Sequence, residues 1–202
     1  MKTVTYLALG DSYTIGEQVP LHESFPYQTV QQLRKSAAFS GCRVMAPEIV
    51  AKTGWTTDEL SAAIDQTVFL PAYDMVSLLI GVNNQYRGRA VDNFEKEFES
   101  LLQQAIGFAA GNAGNVYVLS IPDWGVTPFA KERDGSKIAA DIDAYNEVCE
   151  RIAGKYKTPF IEITTSQRAD NSDVAFLAAD GLHPSGREYG KWAGRLAGLV
   201  NI

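Results

Sequence analysis

The residue pattern predicts an α/β fold, three layers deep (α/β/α), with helices covering both faces of a five-stranded parallel sheet. Short apolar runs biased to Val, Ile, Leu and Tyr alternate along the chain with segments of helical period. The runs are nearly continuous in apolar character, as strands buried on both faces are. No repeat, low-complexity tract or Pro/Gly/Ser linker divides the 202 residues, so one domain over residues 1–202 is expected.

Taken in order, strands are read at residues 3–9, 43–50, 75–80, 116–121 and 159–163. Helices are read at 25–37, 58–67, 91–109 and 138–155, with a last one over 184–200. Thr57, followed by Asp58 and Glu59, reads as a helix N-cap with acidic residues at the positive end of the dipole. Strand–helix alternation implies right-handed crossovers. Five such strands commonly adopt the flavodoxin-like order 2-1-3-4-5, which places the ligand crevice at the carboxyl ends beside the first strand. Residues 122–136 and 164–182 read as long irregular connections, and connections of that length are more often functional than idle.

Composition narrows the function classes. Hydrophobic residues make up 46% and charged residues 21%, the balance of a soluble globular chain rather than a disordered one. A formal charge of -6 with no basic run offers no footprint for nucleic acid, and it repels anionic membrane surfaces. The apolar run near the N-terminus is too short for a signal peptide, and no segment is long enough for a membrane span, so a cytoplasmic protein without stable membrane insertion is expected. Cys42 and Cys149 lack Cys-x-x-Cys spacing and read as structural thiols. With only His22 and His183 as imidazoles, neither a metal nor an organic cofactor is expected, and His22, beside Glu23, reads as a surface residue.

The chemistry-bearing residues fall at strand ends. The first strand runs into Gly10-Asp11-Ser12-Tyr13, which puts a serine hydroxyl on the turn at the carboxyl edge of the sheet. Taken alone, this block reads as a turn or helix cap, with Asp11 a hydrogen-bonding residue of the turn. Near the other end lies Asp180-Gly181-Leu182-His183-Pro184. A serine hydroxyl is a poor nucleophile until an imidazole takes its proton, and that imidazole needs a carboxylate to fix its tautomer. Asp180 and His183 can meet across a turn permitted by Gly181, with Pro184 suited to the first position of the next helix. In the order above, His183 starts about 14 Å sideways from the first strand, so residues 164–182 must arch back. Two further glycine turns, Lys52-Thr53-Gly54-Trp55-Thr56 and Gly81-Val82-Asn83-Asn84, follow the second and third strands. These strands would flank the first, so the Gly54 amide and the Asn83 side chain could converge on a carbonyl bound at Ser12.

Together these blocks resemble the SGNH (GDSL-like) hydrolases, named for Ser, Gly, Asn and His in four blocks, here Ser12, Gly54, Asn83 and His183. The blocks arrive in the family's order and span nearly the whole chain. The resemblance implies a serine esterase acting on carboxylic esters (of a small alcohol, a lysophospholipid or a sugar) through an acyl-serine intermediate. It further implies Ser12 as nucleophile, His183 as general base and acid, Asp180 as its partner, and Ser12, Gly54 and Asn83 as the oxyanion hole. Two departures stand out: Asn84 occupies the place of the family's usual Asp, and Tyr13 that of the Leu in GDSL, which is expected to change packing behind the nucleophile. No Gly-x-Ser-x-Gly elbow of the other common α/β esterase fold is present.

Tyr13, Trp55, Asn84, Tyr86, Trp124 and Phe129 are candidates to line the substrate pocket, and residues 122–129 suit a pocket wall or small lid. An acyltransferase or carbohydrate deacetylase would use the same triad. A binding protein holding phosphate on the Gly10–Gly16 loop would leave Asp180 and His183 without a role. The expected partner is a small-molecule ester.

Overall fold

The computed structural model describes residues 1–170 and 173–202. The first two expected strands are each broken in two. β1 (Lys2–Val4) parts from β2 (Tyr6–Asp11) at Thr5, whose amide and hydroxyl both donate to the Asp74 carboxylate, at 2.8 and 2.9 Å. β3 (Cys42–Val44) parts from β4 (Glu48–Lys52) over a segment containing Pro47, which has no amide to give to a ladder. β1 and β3 pair as a small parallel sheet of their own. The main sheet is parallel throughout, in the order β4-β2-β5-β6-β7, with β5 at Met75–Leu79, β6 at Val116–Leu119 and β7 at Phe160–Ile161. Counting its five strands along the chain gives the expected 2-1-3-4-5 order.

The five expected helices are present: α2 (Phe25–Lys35), α3 (Thr57–Asp65), α5 (Val91–Phe108), α6 (Gly135–Tyr156) and α8 (Gly186–Leu199). Each buries one stripe. In α5 this is Phe94, Phe98, Leu101, Leu102 and Ala105, and in α8 Tyr189, Trp192, Ala193 and Leu196, the spacing of a single helical face. Three short helices were not expected: α1 (Ser12–Ile15), α4 (Val82–Tyr86) and α7 (Thr164–Asp170). The chain steps from β2 outward to β4 and then reverses across the sheet. Right-handed crossovers therefore put α2 on one face and α3, α5 and α6 on the other, and α8 returns to pack on α2.

Local expectations need correction at three places. Thr56, not Thr57, caps α3, its amide donating at 2.9 Å to the Glu59 carboxylate. Pro184 is not the first residue of α8, which starts at Gly186 after Ser185; it lies opposite Leu177 in an antiparallel bridge that closes the Asp180–His183 turn. The 164–182 connection does travel back toward β2, but it opens as α7 and contains a 3₁₀ turn at Val174–Phe176, while residues 171 and 172 lie outside the described residues. Cys149 is buried and Cys42 half-buried, both as free thiols. The His22 side chain is 71% exposed, as expected of a surface residue. Among the described residues no helix is long and apolar enough to cross a membrane.

Candidate active site

The site begins where β2 stops. A Cβ on Gly10 would lie 2.1 Å from Thr14 Oγ1 and 2.4 Å from the Leu79 carbonyl oxygen, so only glycine lets α1 fold back onto the β2–β5 edge. Asp11 caps α1, its carboxylate accepting from the Tyr13 amide at 3.0 Å, which makes Ser12 the first helical residue. Both side chains are buried, Ser12 at 5% exposure.

The turn after α7 brings its imidazole to this point. His183 Nε2 lies 3.0 Å from Ser12 Oγ, and His183 Nδ1 lies 2.6 Å from Asp180 Oδ2. The other Asp180 oxygen accepts from the amides of Leu182 and His183, both at 3.0 Å, so the carboxylate is fixed by its own turn. Gly181 makes that turn at φ +67, a conformation glycine adopts without strain. Burial works to raise the Asp180 carboxyl, but the bonds from the His183 ring and the two amides outweigh it and hold the group below its ordinary range. The Tyr13 ring lies 5.3 Å from the His183 ring and packs in turn on Trp192. Tyr13 thus fills the space between the His183 ring and Trp192.

Gly54 and Asn83 join from the neighbouring strand ends. Gly54 sits at φ +83 in the loop after β4, and its amide has no backbone acceptor among the described residues. Asn83, in α4, donates one side-chain N–H to the Trp55 carbonyl at 3.0 Å; an amide nitrogen carries a second. Ser12, Gly54, Asn83 and His183 all line one cavity of about 210 Å³, whose other walls are Tyr13, Thr53, Val82, Tyr86, Trp124, Phe129 and Leu182.

Tyr13, Tyr86, Trp124 and Phe129 thus stand where the sequence suggested, but two pocket candidates do not. Asn84 is fully buried beneath the cavity, where its carbonyl accepts from the Thr57 amide at 3.1 Å and its nitrogen donates to the Thr57 hydroxyl at 2.6 Å. That hydroxyl donates onward to Glu97. An amide suits this place because Thr57 needs both a donor and an acceptor, whereas a carboxylate would supply only acceptors beside Glu97. Trp55 packs partly buried against the core instead of facing the cavity. Thr53, Val82 and Leu182 are lining residues that sequence reasoning missed; each is adjacent to a residue it had singled out. The 122–136 segment is a wall built of two 3₁₀ turns. Trp124 Nε1 donates to Gln85 at 2.7 Å, buried Asp123 pairs with Arg168 of α7 at 2.8 Å, and the Phe129 amide donates to the Gly181 carbonyl at 3.1 Å.

Burial pushes the Asp11 carboxyl up to about 7, and the amides of Tyr13 and Asp11 itself offset only part of the rise. The unfolded chain releases this proton near pH 4 and the folded one near 7. The folded state therefore binds more protons in between, and stability falls as pH rises through that window. Asp11→Asn keeps the acceptor for the Tyr13 amide and lacks the titration. Its urea midpoint should gain on the wild type between pH 4 and 7.5; parallel profiles would refute this.

The family model of the GDSL-like Lipase/Acylhydrolase family matches residues 8–190. No curated protein sequence matches the chain. Among solved structures, the acetylxylan esterase Axe2 from Geobacillus stearothermophilus superposes with a TM-score of 0.74 at 21% identity, covering 100% of this chain and 97% of its own. The metagenomic α/β hydrolase LAE5 from Lake Arreo, Spain, gives 0.72 at 18%, over 100% and 99%. A lipase/acylhydrolase from Enterococcus faecalis gives 0.68 at 20%, over 98% and 94%. At these identities the structures testify to the shared fold, whereas the family match over residues 8–190 shows membership directly: the chain belongs to the GDSL-like lipases and acylhydrolases, a family of carboxylic ester hydrolases.

Proposed function

We propose that this protein hydrolyses carboxylic esters through an acyl-serine intermediate, with Ser12 as nucleophile, His183 as general base and acid, and Asp180 as its orienting partner. The observation that carries the reading is the unbroken relay Ser12 Oγ–His183 Nε2–Nδ1–Asp180 at 3.0 and 2.6 Å, opening into one cavity. His183 takes the Ser12 proton as the oxygen attacks the ester carbonyl. The amides of Ser12 and Gly54 and the free N–H of Asn83 take up the oxyanion, and the imidazolium returns the proton to the departing alcohol. Water activated by the same imidazole then releases the acid. The scheme calls for no metal or organic cofactor.

The cavity's walls favour an apolar acyl group held against Val82, Tyr86, Trp124, Phe129 and Leu182. A second cavity shares Tyr86 and Trp124 with the first and carries Arg133, Lys137, Asp134 and Asp141. Two cations with two carboxylates suit a polar, overall uncharged alcohol half, and an acylated sugar meets that description, as an ester of xylan does for the esterase from Geobacillus. The test is covalent labelling by a p-nitrophenyl alkylphosphonate, with the adduct mapped by peptide mass spectrometry. One adduct on Ser12 is expected, lost in Ser12→Ala and slowed by an acetylated sugar. A phosphate-holding loop without catalysis would leave Ser12 unlabelled, and that outcome sinks the reading.

A further inference from the structure

We propose that Arg87 is a positioning residue for the oxyanion-binding loop, setting the direction of the Gly54 amide without touching the substrate; the inference rests on the Ser12 reading above. A donor that meets a developing oxyanion must be held within about 0.5 Å of its place. Gly54 is poorly suited to hold itself there, since glycine has the widest backbone freedom and this one, at φ +83, lies in a surface loop between exposed Thr53 and half-buried Trp55. The protein pins the loop from three directions. The Thr53 hydroxyl donates to Glu17, Asn83 donates to the Trp55 carbonyl at 3.0 Å, and Arg87 Nη2 donates to the Gly54 carbonyl at 2.6 Å.

The guanidinium is itself held. Arg87 Nη2 lies 3.2 Å from Glu59 Oε2, and the same carboxylate oxygen accepts from the Thr56 amide at 2.9 Å. A closed circuit therefore runs from the Gly54 carbonyl through Arg87 and Glu59 back to Thr56, two residues along the same loop. Because Asn83 is fastened to the Trp55 carbonyl, a loop displaced at Gly54 misaligns both oxyanion donors together. Arg87 is not among the residues lining the cavity, and its side chain is 43% exposed. An ion pair of that exposure adds little to stability, so positioning and folding can be separated by experiment.

Arg87→Met keeps the aliphatic stem and removes the donor, and Arg87→Lys restores a single N–H within reach. With a p-nitrophenyl ester, kcat of Arg87→Met should fall by about 10- to 100-fold with KM within about twofold, less than the roughly 100- to 1,000-fold cost of deleting a donor outright. The inhibition constant of phenylboronic acid, whose tetrahedral serine adduct presents an oxygen to the same donors, should rise by the factor by which kcat/KM falls. Arg87→Lys should recover part of both, and Tm should move by no more than about 3 °C. A kcat within twofold of wild type overturns the inference. So does a loss confined to KM with the boronate constant unchanged, or one that follows a collapse in Tm. Ser12→Ala, run alongside, tests the parent reading: full turnover there fells both, whereas dead Ser12→Ala with unaffected Arg87→Met fells only the positioning role.

Discussion

His183→Ala is expected to lower kcat for a short p-nitrophenyl ester by about 10⁴-fold or more while the protein stays folded. The size follows from the geometry. Among the described residues His183 Nε2 is the only imidazole nitrogen at Ser12 Oγ, and the second histidine, His22, lies exposed on the surface beside Glu23. Without the ring the hydroxyl keeps its proton at neutral pH, and the departing alcohol has no acid. On the proposed mechanism the Ser12, Gly54 and Asn83 donors remain, so a residual rate above water is expected. The fold should survive, since the Asp180 carboxylate keeps its bonds from the Leu182 and His183 amides and the lost ring packing on Tyr13 at 5.3 Å is a contact of about 1 kcal/mol. Because the two groups act as a unit, Ser12→Ala/His183→Ala should be no slower than the poorer single variant. Steady-state rates with circular dichroism melts decide the matter. If the losses multiply, or if His183→Ala retains a tenth of the wild-type rate, the relay does not work as described.

Gly10→Ala should destabilise the molecule severely for the addition of a single methyl. The new Cβ would lie 2.1 Å from Thr14 Oγ1 and 2.4 Å from the Leu79 carbonyl oxygen, and the second of these is backbone inside the main sheet. Thr14 is fully buried and cannot swing into solvent. Relief therefore demands that β2 and β5 separate or α1 detach, either at the usual cost of overpacking, about 3 kcal/mol. A loss of that size lowers Tm by roughly 6 to 12 °C in a chain of this length. Activity should fall with it, because Ser12 rides on α1. Thermal melts of Gly10→Ala beside Gly41→Ala, where an added Cβ meets nothing within 4 Å, supply the comparison. Equal melting temperatures would show that the β2–α1 junction is not packed as tightly as its distances require.

The sheet order and the triad candidates were legible in the sequence because they rest on strong local signals. Near-continuous apolar runs mark strands covered on both faces, and strand ends then place Ser12, Gly54 and Asn83 on one edge. What escaped was decided by tertiary contacts. α1, α4 and α7 are too short to show a helical period, and each is fixed from outside: α1 by its packing on β4, α4 by its clasp on the 54–57 loop, α7 by Arg168 and Gln167 on Asp123. Thr56 and Thr57 are chemically alike as caps, and the choice between them falls to Asn84, which claims Thr57. Trp55 carried an aromatic ring at the right place in the sequence, but the Trp55 carbonyl, not the ring, serves the site.

The bond from the Phe129 amide to the Gly181 carbonyl has an evolutionary reading. Phe129 lines the pocket, while Gly181 lies inside the turn that carries His183. On the proposed mechanism, a chain that changed its acyl preference by rebuilding this wall would also shift the turn that carries its base, so drift in specificity and drift in rate are mechanically linked. Val82 and Tyr86 line the cavity from α4, which also carries Asn83, and the Tyr86 ring packs edge-on against Trp124 at 5.2 Å, so that side of the pocket is tied to the same wall.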